Sequence, residues 1–419
     1  MSATLALDGI RVLDFSKVLA GPLCAQYLGD MGADVIKIEP IDAGDDTRRY
    51  PPTHQCADDA DGTVFLSTNR NKRSLALDLK SDAGKSICHR LATQCDVVLE
   101  SYGPGVAERL GIGYEAMRAI NPRIIYCSIS GYGSVGPMRS GKGYDAVLQA
   151  FSGIMSITGE PGGGAVRSPF SPVDQATGMH ALTGILAALI ERGRTGRGVR
   201  VEASLFDTSL AFLGYILQGF WANGQEPSKS GSAHDSLCPY DVFPTRDKSM
   251  LLGVANDTLW RKFCSVAGAP GLADDARFSS NALRVTHRGE TVAAVAALLR
   301  GRDRDDWIAA LSAVGIPCSA VHSLGEMGAH RHTEESGMVQ RYAHPAYGAL
   351  QTVAQPVRFD GRRSTVQRAP PLLGQHTREI LLQAGYTPAE LEAFHADRNI
   401  RFHPSDIGSA DTQPTRAVN

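Results

Sequence analysis

IRVLDFSKVLAGPLCAQYLGDMGADVIKIE, residues 10–39, decides the reading of the fold. IRVLDF (10–15) and ADVIKIE (33–39) are apolar on nearly every residue, as strands covered on both faces are, and AGPLCAQYLGDMG between them has helical character. The alternation continues with RSLALDL (73–79), a helix opened by Ser81-Asp82, DVVLES (96–101), RIIYCSISG (123–131) and VRVEASL (199–205). Repeated β-α units predict an α/β fold, a large doubly wound, Rossmann-like domain whose mostly parallel sheet is wrapped by helices.

From about residue 206 the pattern changes. A long apolar helix (206–222) runs into the polar stretch NGQEPSKSGSAHDS, read as a linker over 206–232. PYDVFPTRDKSMLLGVAN predicts a β-hairpin turning at Thr245-Arg246-Asp247-Lys248, and helical segments follow at 257–267, 288–300 and 303–313. The expected division is therefore a large domain at 1–205, a smaller inserted α+β domain at 233–325, and a return segment at 326–403 with strands near 349–358 and a helix at 375–384. Residues 404–419 are polar and read as a disordered tail.

Forty-two Lys and Arg against 44 Asp and Glu exclude a bulk polyanion partner such as nucleic acid, while leaving local basic patches for a small phosphorylated ligand. Eight cysteines without a CxxC pair, most inside apolar runs, read as buried thiols of a reducing compartment. His330 and His332 stand without further ligand residues, so no metal is expected. The amino terminus lacks a signal-peptide pattern, and HALTGILAALI and LAFLGYILQGFWA fall short of the ~20 residues that span a bilayer. A soluble, cytoplasmic protein without membrane contact is expected.

Three loops follow strands in this reading. In the first, DFSKVLAGP, the dinucleotide fingerprint fails because Gly21 is its only glycine, yet Val18, Leu19 and Ala20 fall at a strand's carboxyl end, where open α/β sheets build clefts. SYGPGVAERL (101–110) and GYGSVGPMRSGKGYDAV (131–147) hold Arg109, Lys142 and Tyr144, two cations and an aromatic ring suited to a phosphate and a purine face. Glycine and proline shaping a turn account for the same loops structurally.

In SPVDQATGMHA (171–181), Asp174 precedes Met179, Leu182, Ile185, Leu186 and Leu189 at helical spacing. One reading is a helix N-cap. The other is chemical: a carboxylate at a helix amino terminus is kept ionised by the dipole and can attack an acyl group, with Gly178 leaving room for an approaching group. The glycine-rich GEPGGGAVRSPF (159–170) leads to the same place.

VLDFSKVLAGP, GADVIKIEP, GDDTRR (44–49), NRNKRSLALDLK, YGPGVAERLG, DQATGMHALTGILAALIERGRTGRG, GSAHDSLCPYDVF, NALRVTHR (281–288) and PPLLGQHT (370–377), in this order, resemble the class III CoA transferases, of which formyl-CoA transferase is a familiar member. The resemblance implies that Asp174 takes the acyl group of an acyl-CoA as a mixed anhydride and passes CoA on through an aspartyl-CoA thioester. It implies a CoA site along Val18, Leu19, Ala20, Leu77, Lys80, Ser101, Tyr102, Gly103, Arg109, Lys142, Tyr144 and Asp145, with Leu205 nearby. It implies no permanently bound cofactor, a CoA thioester as substrate, and a homodimer of interlocked, ring-like subunits. Leu19, Pro40 and Ser101 stand where formyl-CoA transferase has glutamine, arginine and asparagine, and its four-glycine run is missing. VLAGP and GDDTRR instead resemble the branch that moves CoA from succinyl-CoA to small dicarboxylates. There Leu19 would border the substrate. Arg48 would clamp a distal carboxylate, or else be a loop arginine at the surface. Two alternatives stay open: an α-methylacyl-CoA racemase-like isomerase, although its histidine's place is taken by the poorly basic Tyr144, and a non-catalytic acyl-CoA-binding protein.

Overall fold

A computed structural model describes residues 5–54 and 60–404, so the tail read as disordered and Cys56 lie outside the described residues, Pro404 excepted. Contacts divide the chain into two compact units, one of residues 1–152, 168–214 and 335–419, the other of 153–167 and 215–334.

The larger unit is built on β1 (Arg11–Asp14), β2 (Asp34–Glu39), β3 (Lys72–Leu77), β4 (Val97–Glu100), β5 (Ile125–Ser130) and β6 (Arg200–Ser204). These run parallel in the order β3-β2-β1-β4-β5-β6, and Ile400–Arg401 joins antiparallel at the β3 edge. β1 pairs with both β2, Val12 opposite Val35, and β4, Val12 opposite Val97. The order reverses between β1 and β4, and in open sheets the ligand cleft forms outside the strand ends at that switch point.

One sheet face is apolar. Leu13, Phe15, Ile36, Ile38, Leu75, Leu77 and Val98 pack with Ile87 and Leu91 of the helix Asp82–Ala92 and with Ile380 and Leu381 of Thr377–Gln383. The other face, one residue out of step, carries charges. The expectation of strands apolar on nearly every residue and covered on both faces holds for their burial, but the residues that break the apolar pattern are buried as well. Lys72 Nζ reaches Asp14 Oδ2, Asn69 Oδ1 and the Pro22 carbonyl, each at 2.9 Å. Lys37 Nζ reaches Asp45 Oδ2 at 2.9 Å and the Ser16 carbonyl at 3.0 Å. All four side chains are buried, which is tolerable only because each charge is paired and hydrogen-bonded.

Helix α1 (Ala20–Asp30) packs on the long helix Pro172–Thr195, which buries Val173, Thr177, Gly178, Ala181, Ile185 and Ala188 and ends on Gly196 in the left-handed conformation. A Cβ on Gly178 would collide with the Ala20 carbonyl oxygen, so the missing side chain serves helix contact and makes no room for a ligand.

The second unit has its own core of Trp260, Phe263, Phe278, Trp307 and Leu311 against a three-stranded antiparallel sheet of β7 (Tyr240–Pro244), β8 (Ser249–Gly253) and β9 (Cys318–Ala320). The β7–β8 turn is closed by Thr245 N–H donating to the Lys248 carbonyl. The unit extends past the expected 233–325 on both sides and takes in 153–167, because Gly231 N–H donates to the Gly159 carbonyl and Lys229 to that of Gly163. The single helix expected at 206–222 is two, Leu205–Phe212 and Gly214–Asn223. In the return segment, β10 (Val339–His344) pairs with β11 (Gly348–Val353), and only the second strand was expected. Among the described residues no helix is long and apolar enough to cross a membrane.

Gly178→Ala should gain helix propensity yet lose about 1–3 kcal/mol net, because the α1 backbone must move away; denaturant unfolding against the parent measures it.

Candidate active site

The carboxyl ends of β1, β4 and β5 meet at a cavity of about 290 Å³. Ten of the expected residues line it: Val18, Leu19, Ala20, Ser101, Tyr102, Gly103, Lys142, Tyr144, Asp174 and Leu205. Leu77 and Lys80 line a neighbouring cavity of about 380 Å³, and Lys17 and Tyr102 border both. Arg109 is exposed and borders neither. A larger hollow of about 610 Å³ lies at the opposite strand ends, beside Arg11, Asp34 and Arg73. Two of its three arginines are paired with acids, Arg73 with Asp34 at 2.5 Å and Glu379 at 3.0 Å and Arg11 with Asp34 at 3.2 Å, so size alone does not mark the site.

Asp174 is the third residue of the long helix, not its N-cap. Ser171 holds the cap position in a left-handed conformation, φ +51°, and Pro172 opens the first turn. The capping is done from outside, where Asp145 Oδ2 accepts the backbone N–H groups of Val173 at 2.8 Å and Asp174 at 3.2 Å. The Asp174 carboxylate itself is half-buried with no hydrogen-bond partner among the described residues. Burial, reinforced by the like charge of Asp145, pushes its pKa up to about 7. The expectation that the helix dipole keeps it ionised is corrected, because desolvation outweighs the dipole here.

Two further expectations change. Asp145 is buried and bonded to Val173, Asp174 and Gln149, so it supports the backbone at Asp174 instead of lining the cavity. Arg48 is neither at the surface nor in the cleft. All three of its guanidinium nitrogens are engaged, by both Glu39 oxygens at 2.8 Å, both Asp61 oxygens at 2.9 and 3.1 Å, and the Pro371 carbonyl at 3.0 Å. The guanidinium also stacks on Phe65, leaving no donor for a substrate carboxylate.

Sequence reasoning passed over Lys17, Arg139, Ser130 and Gly131, which also line the cleft. Arg139 lies in a loop already singled out, and its signal was a third cation close to Lys142. Gly131 and Gly143 pack backbone to backbone, folding that loop so that Arg139–Tyr144 faces inward. Val18, a β-branched residue at φ +71°, adopts a strained conformation. The loop around it is pinned by Lys17 N–H to Ser101 Oγ at 3.0 Å and by Lys37 to Ser16.

The model of CoA-transferase family III matches residues 7–377. The chain belongs to that family. It is an enzyme that transfers coenzyme A. A mouse succinyl-CoA:glutarate CoA-transferase is 39% identical over 375 residues, 90% of this chain and 85% of the relative. A succinate–glutarate CoA-transferase of Agrobacterium fabrum is 35% identical over 90% of this chain and 95% of its own. The crystal structure of a CAIB/BAIF family protein from Brucella suis superposes with a TM-score of 0.83 at 32% identity, covering 91% of this CoA transferase and all of that chain.

Below a pH of about 7 the folded chain retains a proton on Asp174 that an unfolded chain, with an ordinary carboxylate, has already released. Stability therefore falls as pH rises through that window. Asp174→Asn should melt above the parent in neutral and alkaline buffer, with the gap closing on acidification, as thermal melts across pH would record. Arg48→Ala strands Glu39 and Asp61 in the interior and should cost about 3–5 kcal/mol of stability in denaturant unfolding.

Proposed function

We propose that this CoA transferase moves CoA from an acyl-CoA, with succinyl-CoA the favoured donor, to a small carboxylic or dicarboxylic acid through covalent intermediates on Asp174. The observation that carries the reading is a carboxylate without a hydrogen-bond partner among the described residues, in a cleft walled by the loops after β1, β4 and β5. A nucleophile engaged by other donors would lose basicity, whereas desolvation raises it.

In this mechanism an Asp174 oxygen attacks the thioester carbonyl, the new C–O bond forms, the C–S bond breaks, and CoA leaves as thiolate. The thiolate then attacks the Asp174 carbonyl of the mixed anhydride, releasing the donor acid and leaving an aspartyl-CoA thioester. The acceptor carboxylate displaces the thiolate from it, and thiolate attack on the acceptor's acyl carbon frees Asp174. No bond to water forms, so the energy of the thioester is conserved throughout. Helix α1 begins at the cleft with no side-chain cap, so its first N–H groups are suited to an oxyanion.

The dicarboxylate assignment rests on the two relatives named for glutarate and on the cleft's cations. Arg139 and Lys142 are exposed with no side-chain partner among the described residues, and Lys17 lies 4.0 Å from Asp46. One of these, in place of Arg48, meets the second carboxylate, and the others meet CoA phosphates. A homodimer fits the helix Gly214–Asn223, which buries no residue within one chain although it carries Tyr215 and Trp221.

Asp174→Asn is expected to lower CoA transfer from succinyl-CoA to glutarate by at least about a thousandfold. Hydroxylamine added during parental turnover should leave a mass increment on the peptide containing Asp174. Brisk exchange by the asparagine variant would remove the mechanism.

A further inference from the structure

The chain leaves the larger unit after Ser152 and re-enters it at Ser168, shortly before Asp174. Two side chains of the helix Asp145–Phe151, on the outgoing strand of this excursion, hold the returning segment. Asp145 grips the backbone N–H groups of Val173 and Asp174. Gln149, one turn further along, donates its amide to the other Asp145 oxygen and accepts the Ser168 N–H through Oε1 at 2.9 Å. The spacing of four residues puts both side chains on one helix face. Gln149 is fully buried and Asp145 nearly so. All three partners of Asp145 are N–H donors, as an acceptor-only carboxylate requires. Between the two grips stands Ser171, in a backbone conformation that a non-glycine residue holds only when its surroundings impose it.

We propose that Asp145 and Gln149 are a positioning pair for the reaction, fixing the backbone on both sides of Ser171 so that the Asp174 carboxylate is presented to the acyl carbon without a partner of its own. This rests on Asp174 being the nucleophile. The pair does more than brace a helix, because Asp145 also brings a negative charge to the group it positions. The other titratable groups at the cleft are Lys17 before α1, Tyr102 after β4, and Arg139, Lys142 and Tyr144 in the loop after β5. Of these neighbours, Asp145 is the one whose charge opposes ionisation of Asp174.

The test compares the parent, Asp145→Asn, Asp145→Glu, Gln149→Met and Asp174→Asn, each first checked by thermal melting and for CoA binding. Steady-state rates of succinyl-CoA and glutarate exchange are then taken from about pH 5 to 9. Asp145→Asn should lower kcat by about tenfold to a hundredfold through misplacement, with the KM for succinyl-CoA little changed. It should also move the acid limb of kcat/KM to lower pH. Gln149→Met should lower kcat to a similar degree without moving that limb, since no charge is lost. Asp145→Glu, keeping the charge, should hold the limb where the parent has it. A parental kcat and pH midpoint in Asp145→Asn would overturn the proposal, as would a parental kcat in Gln149→Met if the asparagine variant does not fold. Undiminished exchange by Asp174→Asn sinks the underlying mechanism instead, so the two failures are distinguishable.

Discussion

The active end of the sheet is held by ion pairs buried beneath helix α1. Lys72 with Asp14, Lys37 with Asp45, and Arg48 between Glu39 and Asp61 tie β1, β2 and β3 to the loop that follows β2. Removing one partner from a buried pair costs about 3–5 kcal/mol, because the remaining charge is left in a medium that cannot solvate it. The network has a directional effect as well. Lys37 also binds the Ser16 carbonyl and Lys72 that of Pro22, so the stretch that carries Val18 into a left-handed conformation is anchored at both ends. The cleft thus gains its first wall from charges that never contact it.

Asp174 is governed by the opposite arrangement. Its neighbours Val173 and Thr177 are packed, its backbone N–H is taken by Asp145, and its carboxylate is left alone. Nothing offsets the cost of charging it, and the cost shows as a carboxyl that titrates near neutrality. A helix start would ordinarily be the easiest place in a protein to hold a negative charge. Here the external cap occupies the first-turn N–H groups with another carboxylate, which cancels that advantage. The same geometry accounts for the lack of a capping hydrogen bond from the Ser171 side chain.

Much of this was legible from residue order. The β-rich runs at 10–15, 33–39, 73–79, 96–101, 123–131 and 199–205 marked all six parallel strands, the first five because a covered strand has little freedom of composition and the last, at the exposed edge, by its place in the alternation. Ten of the residues expected at the site do converge: nine lie in segments that follow strands, whose ends share one edge, and Asp174 is brought there by the start of the long helix. What was illegible depended on partners distant in sequence. Whether Lys37 and Lys72 point to solvent or to a carboxylate is decided by pairing across strands, and Arg48 looked available because Asp61 and Pro371 come from elsewhere. Asp145 was assigned by its place in a motif, while its hydrogen bonds run to a helix beginning 27 residues later. The attachment of 153–167 to the second unit depends on a backbone bond from Gly231 and a side-chain bond from Lys229 that no local pattern announces.

The contact between Gly178 and Ala20 restricts how such an enzyme can diversify. With no side chain between the two backbones, α1 cannot slide along the long helix, and the span from the uncapped start of α1 to Asp174 behaves as a fixed ruler. Variation in the cleft must therefore arise where the chain can change without altering that span. The loop from Gly131 to Tyr144 qualifies, being folded on its own glycine pair and borne on no helix. The cleft is thereby walled by two kinds of backbone, one rigid by contact and the other free to drift.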